Sequence, residues 1–166
     1  YFRPVAQNIL GTVYGTIQAF TTDNYESFFF EDFESATLAN WTQERVSGTL
    51  NWSAVSDSRP SPFAGNYCAQ LYGESFSAQT TRLISPVLNL NGKTSVSLSF
   101  YHAQEAWDGD QDTLKVYYKT SSTGNWTMIP GADFTTSVPD WVKRQLTLPS
   151  PSANYQIAFE GKSVYG

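Results

Sequence analysis

Hydrophobic and polar residues alternate with a period of two along most of the second half of this chain. Val96, Leu98, Phe100 and His102 fall on one side of an extended backbone, with Ser95, Ser97, Ser99 and Tyr101 on the other. Leu114, Val116 and Tyr118 oppose Lys115, Tyr117 and Lys119, and Ile157 and Phe159 oppose Gln156, Ala158 and Glu160. Successive side chains of a strand point to opposite faces, so this pattern predicts strands with one buried and one wet face. Strands are predicted over 27–33, 49–54, 66–72, 81–85, 95–103, 113–119, 125–129, 141–148 and 154–160. Turn signals separate them, among them Asn91-Gly92, Asp108-Gly109-Asp110, Thr123-Gly124 and Pro149-Ser150-Pro151. No segment of any length carries a helical period. Short strands at this spacing predict an all-β antiparallel fold, two sheets stacked as a sandwich.

Two parts can be separated. Residues 1–26 hold a strand-like run over 12–20 and a polar stretch over 21–26, and read as the tail of a preceding domain or a linker. Residues 27–166 read as the sandwich domain. The last residues, Lys162 to Gly166, look like the beginning of another strand, so a closing strand is expected to be missing. Because the chain begins at Tyr1 rather than Met, a processed or excised fragment is expected.

Composition agrees with β structure and removes some partners. Aromatics make up 16% of 166 residues, and such side chains suit a pleated, half-buried surface. Net charge is −5, the pI is about 4.7, and no Lys/Arg run occurs. A phosphate backbone needs a positive surface, so nucleic acid is a poor partner. No apolar run approaches the roughly 20 residues that span a bilayer, so direct membrane insertion is not expected. Cys68 stands alone, which leaves no intrachain disulfide and no zinc cluster; it reads as a small buried strand residue.

An ordered series of motifs gives a further lead. Phe30-Glu31-Asp32-Phe33-Glu34 is followed by Asn40-Trp41, Leu50-Asn51-Trp52, Ala64-Gly65-Asn66-Tyr67 and Leu83-Ile84-Ser85-Pro86-Val87. Val96-Ser97-Leu98-Ser99-Phe100, Asp112 to Val116, Asn125-Trp126, Asp140-Trp141 and Ile157 to Gly161 complete it. That succession, over residues 28–166, resembles the MAM domain and its bacterial relatives, the cleaved-adhesin and choice-of-anchor J domains of Bacteroidetes surface proteins. The resemblance implies a jelly-roll (galactose-binding-like) sandwich that serves as an adhesion or binding module in a larger extracellular protein, commonly with calcium. Animal MAM domains carry cysteine pairs, so the single Cys68 favours the bacterial branch.

Three groups of residues could carry chemistry. On a strand, Asp32 and Glu34 would share one face and Glu31 the other, and two carboxylates beside aromatics need pairing, water or a metal. The residues leave open a solvated acidic edge and a cation site. The resemblance implies calcium, held by Glu34 and Asp32 with Asp57 or carbonyls near Asn66. The second group is Trp107, Asp108 and Asp110. It reads as a solvated turn, a further calcium site, or a sugar-contacting loop in which a ring stacks on C–H faces and acids accept hydroxyl hydrogen bonds. The third is Asn40-Trp41-Thr42, Asn51-Trp52-Ser53 and Asn125-Trp126-Thr127, which match the N-glycosylation pattern, although the tryptophans are expected to pack across the sandwich.

Catalysis is not expected. The single histidine, His102, falls on the apolar face of its strand, and neither a serine elbow nor a phosphate loop is present. The expected function is an adhesion or binding module for an extracellular glycan or protein, located outside the cell or on its outer surface. The alternatives are a structural spacer in a larger surface protein and a glycan-active hydrolase. The hydrolase would use a carboxylate pair drawn from Glu34, Glu74, Glu105 and the 108–112 aspartates.

Overall fold

The period-two segments form strands, and every pairing between strands is antiparallel. In this computed structural model, which describes residues 5–16 and 26–165, no helix is found among the described residues. The strands are β1 (Val5–Asn8), β2 (Gly11–Tyr14), β3 (Thr42–Ser47), β4 (Ser53–Val55), β5 (Cys68–Gln70) and β6 (Gln79–Ile84). They continue with β7 (Ser97–Gln104), β8 (Thr113–Lys119), β9 (Thr127–Phe134), β10 (Val138–Thr147) and β11 (Gln156–Ser163). One layer is a five-stranded sheet in the order β3-β6-β11-β8-β9; β7 pairs with β10, β4 with β5 and β1 with β2.

The core lies between the five-stranded sheet and the β7–β10 pair. Val96, Leu146 and Leu148 on one side meet Val116, Ile129 and Ile157 on the other, with Leu98, Phe100 and Phe159 packed against them. These are the inward members of the alternation, and their removal from water is the main term that favours the fold. Strand β11 departs from the simple pattern. It lies in the middle of its sheet, and Ala158, expected on the wet face, is fully buried.

The β4–β5 pair closes over the same sheet further along. Trp52 and Leu71 press on Gly161 so closely that an added Cβ there would lie 2.7 Å from each. The Trp52 indole N–H donates to the carbonyl of Thr81 at 2.9 Å, which satisfies its one polar atom in the interior. Trp41 is also drawn inward, edge-on to Phe29 at 5.4 Å and to Phe159 at 6.1 Å. Two of the three Asn-Trp motifs thus place their rings across the sandwich, as expected.

Three expectations are corrected. Residues 27–33 are not a strand: Phe33 has φ 62° and Ala36 φ 56°, and side-chain carboxylates rather than a neighbouring strand take up the backbone N–H groups there. Strand β3 was not foreseen, because all six of its residues are exposed and an edge strand with two wet faces shows no apolar alternation. Strand β9 runs on to Phe134 rather than ending near 129. In the first 26 residues, a hairpin of β1 and β2 precedes the polar stretch, and part of the strand-like run over 12–20 lies outside the described residues.

Candidate functional site

The outer faces of the two layers differ in chemistry. On the five-stranded sheet, Arg82 reaches Glu160 at 2.7 Å and Glu44 at 3.0 Å, and its guanidinium lies over the Tyr117 ring. The Tyr117 hydroxyl donates to Glu160, and Lys115 faces Asp133 at 3.5 Å. Burial first, then the Glu160 charge, pushes the Tyr117 hydroxyl pKa up. Arg82, Glu44, Glu160, Lys115 and Asp133 are thus paired on this face.

The outer face of β7 and β10 is built otherwise. Tyr101 is the aromatic member of a row that includes Ser97 and Ser99, and register sets Lys143 opposite Tyr101 and Gln145 opposite Ser99. The Phe63 ring lies flat on Tyr101, with centroids 3.6 Å apart and planes 15° apart, and it remains 52% exposed. Phe63 comes from the loop between β4 and β5. That loop is also held by the Trp141 indole, which donates to the Ser61 carbonyl at 2.7 Å. The result is an aromatic platform bordered by hydroxyl, amide and ammonium groups. Among the described residues Lys143 forms no ion pair.

The inner face below the platform carries the chain's single histidine. His102 is 5% exposed; Arg144 Nε donates to its Nδ1 at 3.3 Å, so the neutral ring carries its proton on Nε2. Burial first and the Arg144 charge second push its pKa down to about 4. Its Nε2 finds no partner among the described residues, and the ring packs 4.9 Å from Phe134. Asp112 is a carboxyl with a raised pKa, chiefly through burial, but its Oδ1 accepts the Val164 N–H at 2.7 Å and ties the start of β8 to the end of β11.

The acidic run does not lie as a strand would place it. Glu31 Oε1 accepts the Phe33 N–H, and Glu31 Oε2 accepts the Trp41 indole N–H at 3.2 Å. Asp32 Oδ1 accepts the Glu34 N–H at 3.1 Å. Glu34 bonds directly to Asn66, which the resemblance had implied as a fellow calcium ligand. Its Oε1 accepts the N–H groups of Asn66 (2.7 Å) and Tyr67 (2.9 Å), and its Oε2 accepts Asn66 Nδ2 at 3.0 Å. These bonds hold the Glu34 pKa below its ordinary range, the Asn66 backbone N–H contributing most.

Asp57 does not join them; among the described residues its side chain makes no hydrogen bond or ion pair. Calcium takes six to eight oxygens. Here the partners around the Glu34 carboxylate are N–H donors, and among the described residues no three His, Cys, Asp or Glu side chains gather to hold a metal. The Asp32, Glu34, Asp57 and Asn66 set therefore does not fit a calcium ion in this arrangement.

Trp107, Asp108 and Asp110 form a tight turn. Trp107 and Asp110 exchange backbone hydrogen bonds at 2.9 and 2.8 Å, and both central residues have positive φ, 45° at Asp108 and 92° at Gly109. That is the hairpin turn for which Asp-Gly is suited. Trp107, which opens the turn, stands 62% exposed. The platform residues Phe63, Tyr101 and Trp141 were not singled out from the sequence. The available signal was Tyr101 itself, one ring on an otherwise serine face.

Similar proteins share the fold. TmCBM61, solved in complex with β-1,4-galactotriose, superposes with a TM-score of 0.63 at 12% identity, covering 86% of this chain and 91% of its own. The K1 cleaved adhesin domain of Lys-gingipain from Porphyromonas gingivalis W83 gives 0.56 at 19% identity, covering 80% and 92%. The CBM22-1 xylan-binding domain of Paenibacillus barcinonensis Xyn10C gives 0.52 at 16%, covering 81% and 82%. No curated protein matches the chain in sequence. The family model of the MAM domain (meprin/A5/mu) matches residues 31–165, and the chain belongs to that family.

Proposed function

We propose that this domain is a non-catalytic glycan-binding module of a larger extracellular protein, and that the sugar lies on the outer face of β7 and β10. The observation that carries this reading is the flat Phe63–Tyr101 pair with its exposed outer ring, set among Ser99, Gln145 and Lys143. A pyranose presents an apolar C–H face and a rim of hydroxyls. A ring for the former with hydrogen-bonding groups for the latter is the usual composition of such a site. Fold likeness to domains solved with galactotriose or described as xylan-binding and adhesin domains supports the same class of partner. Of the carboxylates a hydrolase could draw on, Glu34 is held in three hydrogen bonds, Glu74 accepts the Tyr72 hydroxyl at 2.8 Å and Asp112 accepts the Val164 N–H.

A glycan array followed by affinity electrophoresis in galactan and xylan gels tests the reading. Tyr101→Ala is expected to lower affinity at least tenfold, about 1.4 kcal/mol, while costing under about 1 kcal/mol of stability. Retention of full binding by Tyr101→Ala would move the site off this face.

A further inference from the structure

We infer that Glu34 is the positioning residue of this platform, its carboxylate holding the Phe63 loop in place by direct hydrogen bonds where a calcium ion was expected. The inference rests on the glycan reading above for its affinity readout only. Phe63 can stack on Tyr101 only if the loop between β4 and β5 is held over β7. The Trp141 indole fixes that loop on the near side of Phe63, at Ser61. On the far side the chain passes through Gly65, Asn66 and Tyr67, and Glu34 takes up the backbone N–H of both Asn66 and Tyr67.

Gly65 is part of the same device. It has φ 68°, a conformation glycine adopts without cost, and the Glu34 carboxylate lies where a Cβ on residue 65 would stand. Any side chain there would displace the carboxylate. Glu34 itself is aimed by its own turn, in which Asp32 caps the Glu34 N–H and Glu31 caps that of Phe33. Hydrogen bonds to a carboxylate are among the stronger ones, so a single side chain can anchor a loop of this length.

The chain of contacts runs from the acidic turn to Glu34, then to Asn66 and Tyr67, the loop, and Phe63 on Tyr101. An isosteric amide at position 34 keeps the shape and one oxygen, but it loses the charge that strengthens the Asn66 and Tyr67 N–H bonds and sets an NH₂ against Asn66 Nδ2. The expected effect is on the geometry of the platform rather than on the sandwich core, because the Glu34 carboxylate bonds to Asn66 and Tyr67, neither of them a core residue.

The test is NMR of isotope-labelled protein, wild type and Glu34→Gln, each with millimolar calcium chloride or excess chelator, and with β-1,4-galactotriose and soluble xylan as binding probes. In the wild type the Asn66 and Tyr67 amide protons should lie downfield and move with neither calcium nor chelator. In Glu34→Gln they should move upfield, the Phe63–Tyr101 ring NOEs should weaken, and core resonances should stay in place. Affinity for a bound probe should fall about tenfold, as in Phe63→Ala, with the double variant no worse than either single one.

Persistence of the ring NOEs in Glu34→Gln, or a stoichiometric calcium shift of the Asn66 and Tyr67 amides, would overturn the inference. Should Glu34→Gln fail to fold, the wild-type calcium arm and Gly65→Ala, which displaces the carboxylate without removing its charge, give the same decision. If Phe63→Ala binds a probe as the wild type does, the glycan reading fails while the NOE and calcium arms still judge the clasp.

Discussion

The two outer faces of this sandwich are made from similar strands and do opposite things with their polar groups. Across the five-stranded sheet, Glu44, Arg82, Glu160 and Tyr117 are linked to one another, and Lys115 pairs with Asp133. On β7 and β10 the serines, Gln145 and Lys143 surround a stacked pair of rings that faces solvent. A face whose charges are mostly matched gains less from a polyhydroxyl ligand, since most new hydrogen bonds there would replace existing ones. A face with free donors, acceptors and an apolar ring exchanges only water for sugar. The difference teaches that exposed area and polarity do not mark a binding face by themselves; unspent hydrogen-bonding capacity beside an aromatic surface does.

Acid should separate the faces most. His102 lies on the inner side of β7, under the platform, with an ordinary pKa of 6.5 and a folded value of about 4. As pH falls through 6.5 the unfolded chain takes up a proton that the folded state refuses until about 4. This contribution to stability is thus present in full above pH 7 and drains between 6.5 and 4, by roughly 2–3 kcal/mol. Urea melts at pH 7 and 4.5 should show that slope in the wild type and a much smaller one in His102→Gln; equal slopes would rule out the burial account of this residue.

Arg82→Met breaks the opposite face. Glu160, whose side chain is 13% exposed, loses its cation, and a cost of about 2 kcal/mol is expected in denaturant melts, with glycan affinity unchanged within twofold. A large loss of affinity in that variant would erase the distinction between the faces. The smallest effect belongs to Trp107→Ala. Its ring is 62% exposed and lies beyond the end of β7, outside the row of Tyr101, Ser99 and Ser97, so titration should show under about a twofold change in affinity and no resolvable stability change.

How far these features could be read from the sequence follows from where each is encoded. Period-two alternation places β7, β8 and β11 because their inward residues are apolar and their neighbours are not. The same rule is blind to β3, whose residues are all exposed, and misplaces 27–33, where aromatic residues interleave with acids that cap turns. The family resemblance implied Glu34 and Asn66 as ligands of one cation, and their direct hydrogen bonds were not legible in either motif. Whether carbonyl oxygens or N–H groups face a carboxylate depends on backbone dihedrals at Gly65, Asn66 and Tyr67, which residue types do not specify. The platform was hidden for a related reason. Tyr101 is visible as the odd aromatic on a serine face, yet Phe63 reaches it from 38 positions away through a loop, a closure that no periodicity records.

The central claim is that a glycan occupies the outer face of β7 and β10. Chemical-shift mapping with the best-bound oligosaccharide from an array tests it most directly. Bound there, the sugar should perturb amides along 97–103 and 142–147 and in the loop around Phe63, with the Glu44, Arg82 and Glu160 amides unmoved. Perturbations centred on the turn at 107–110 or on the five-stranded face would contradict it.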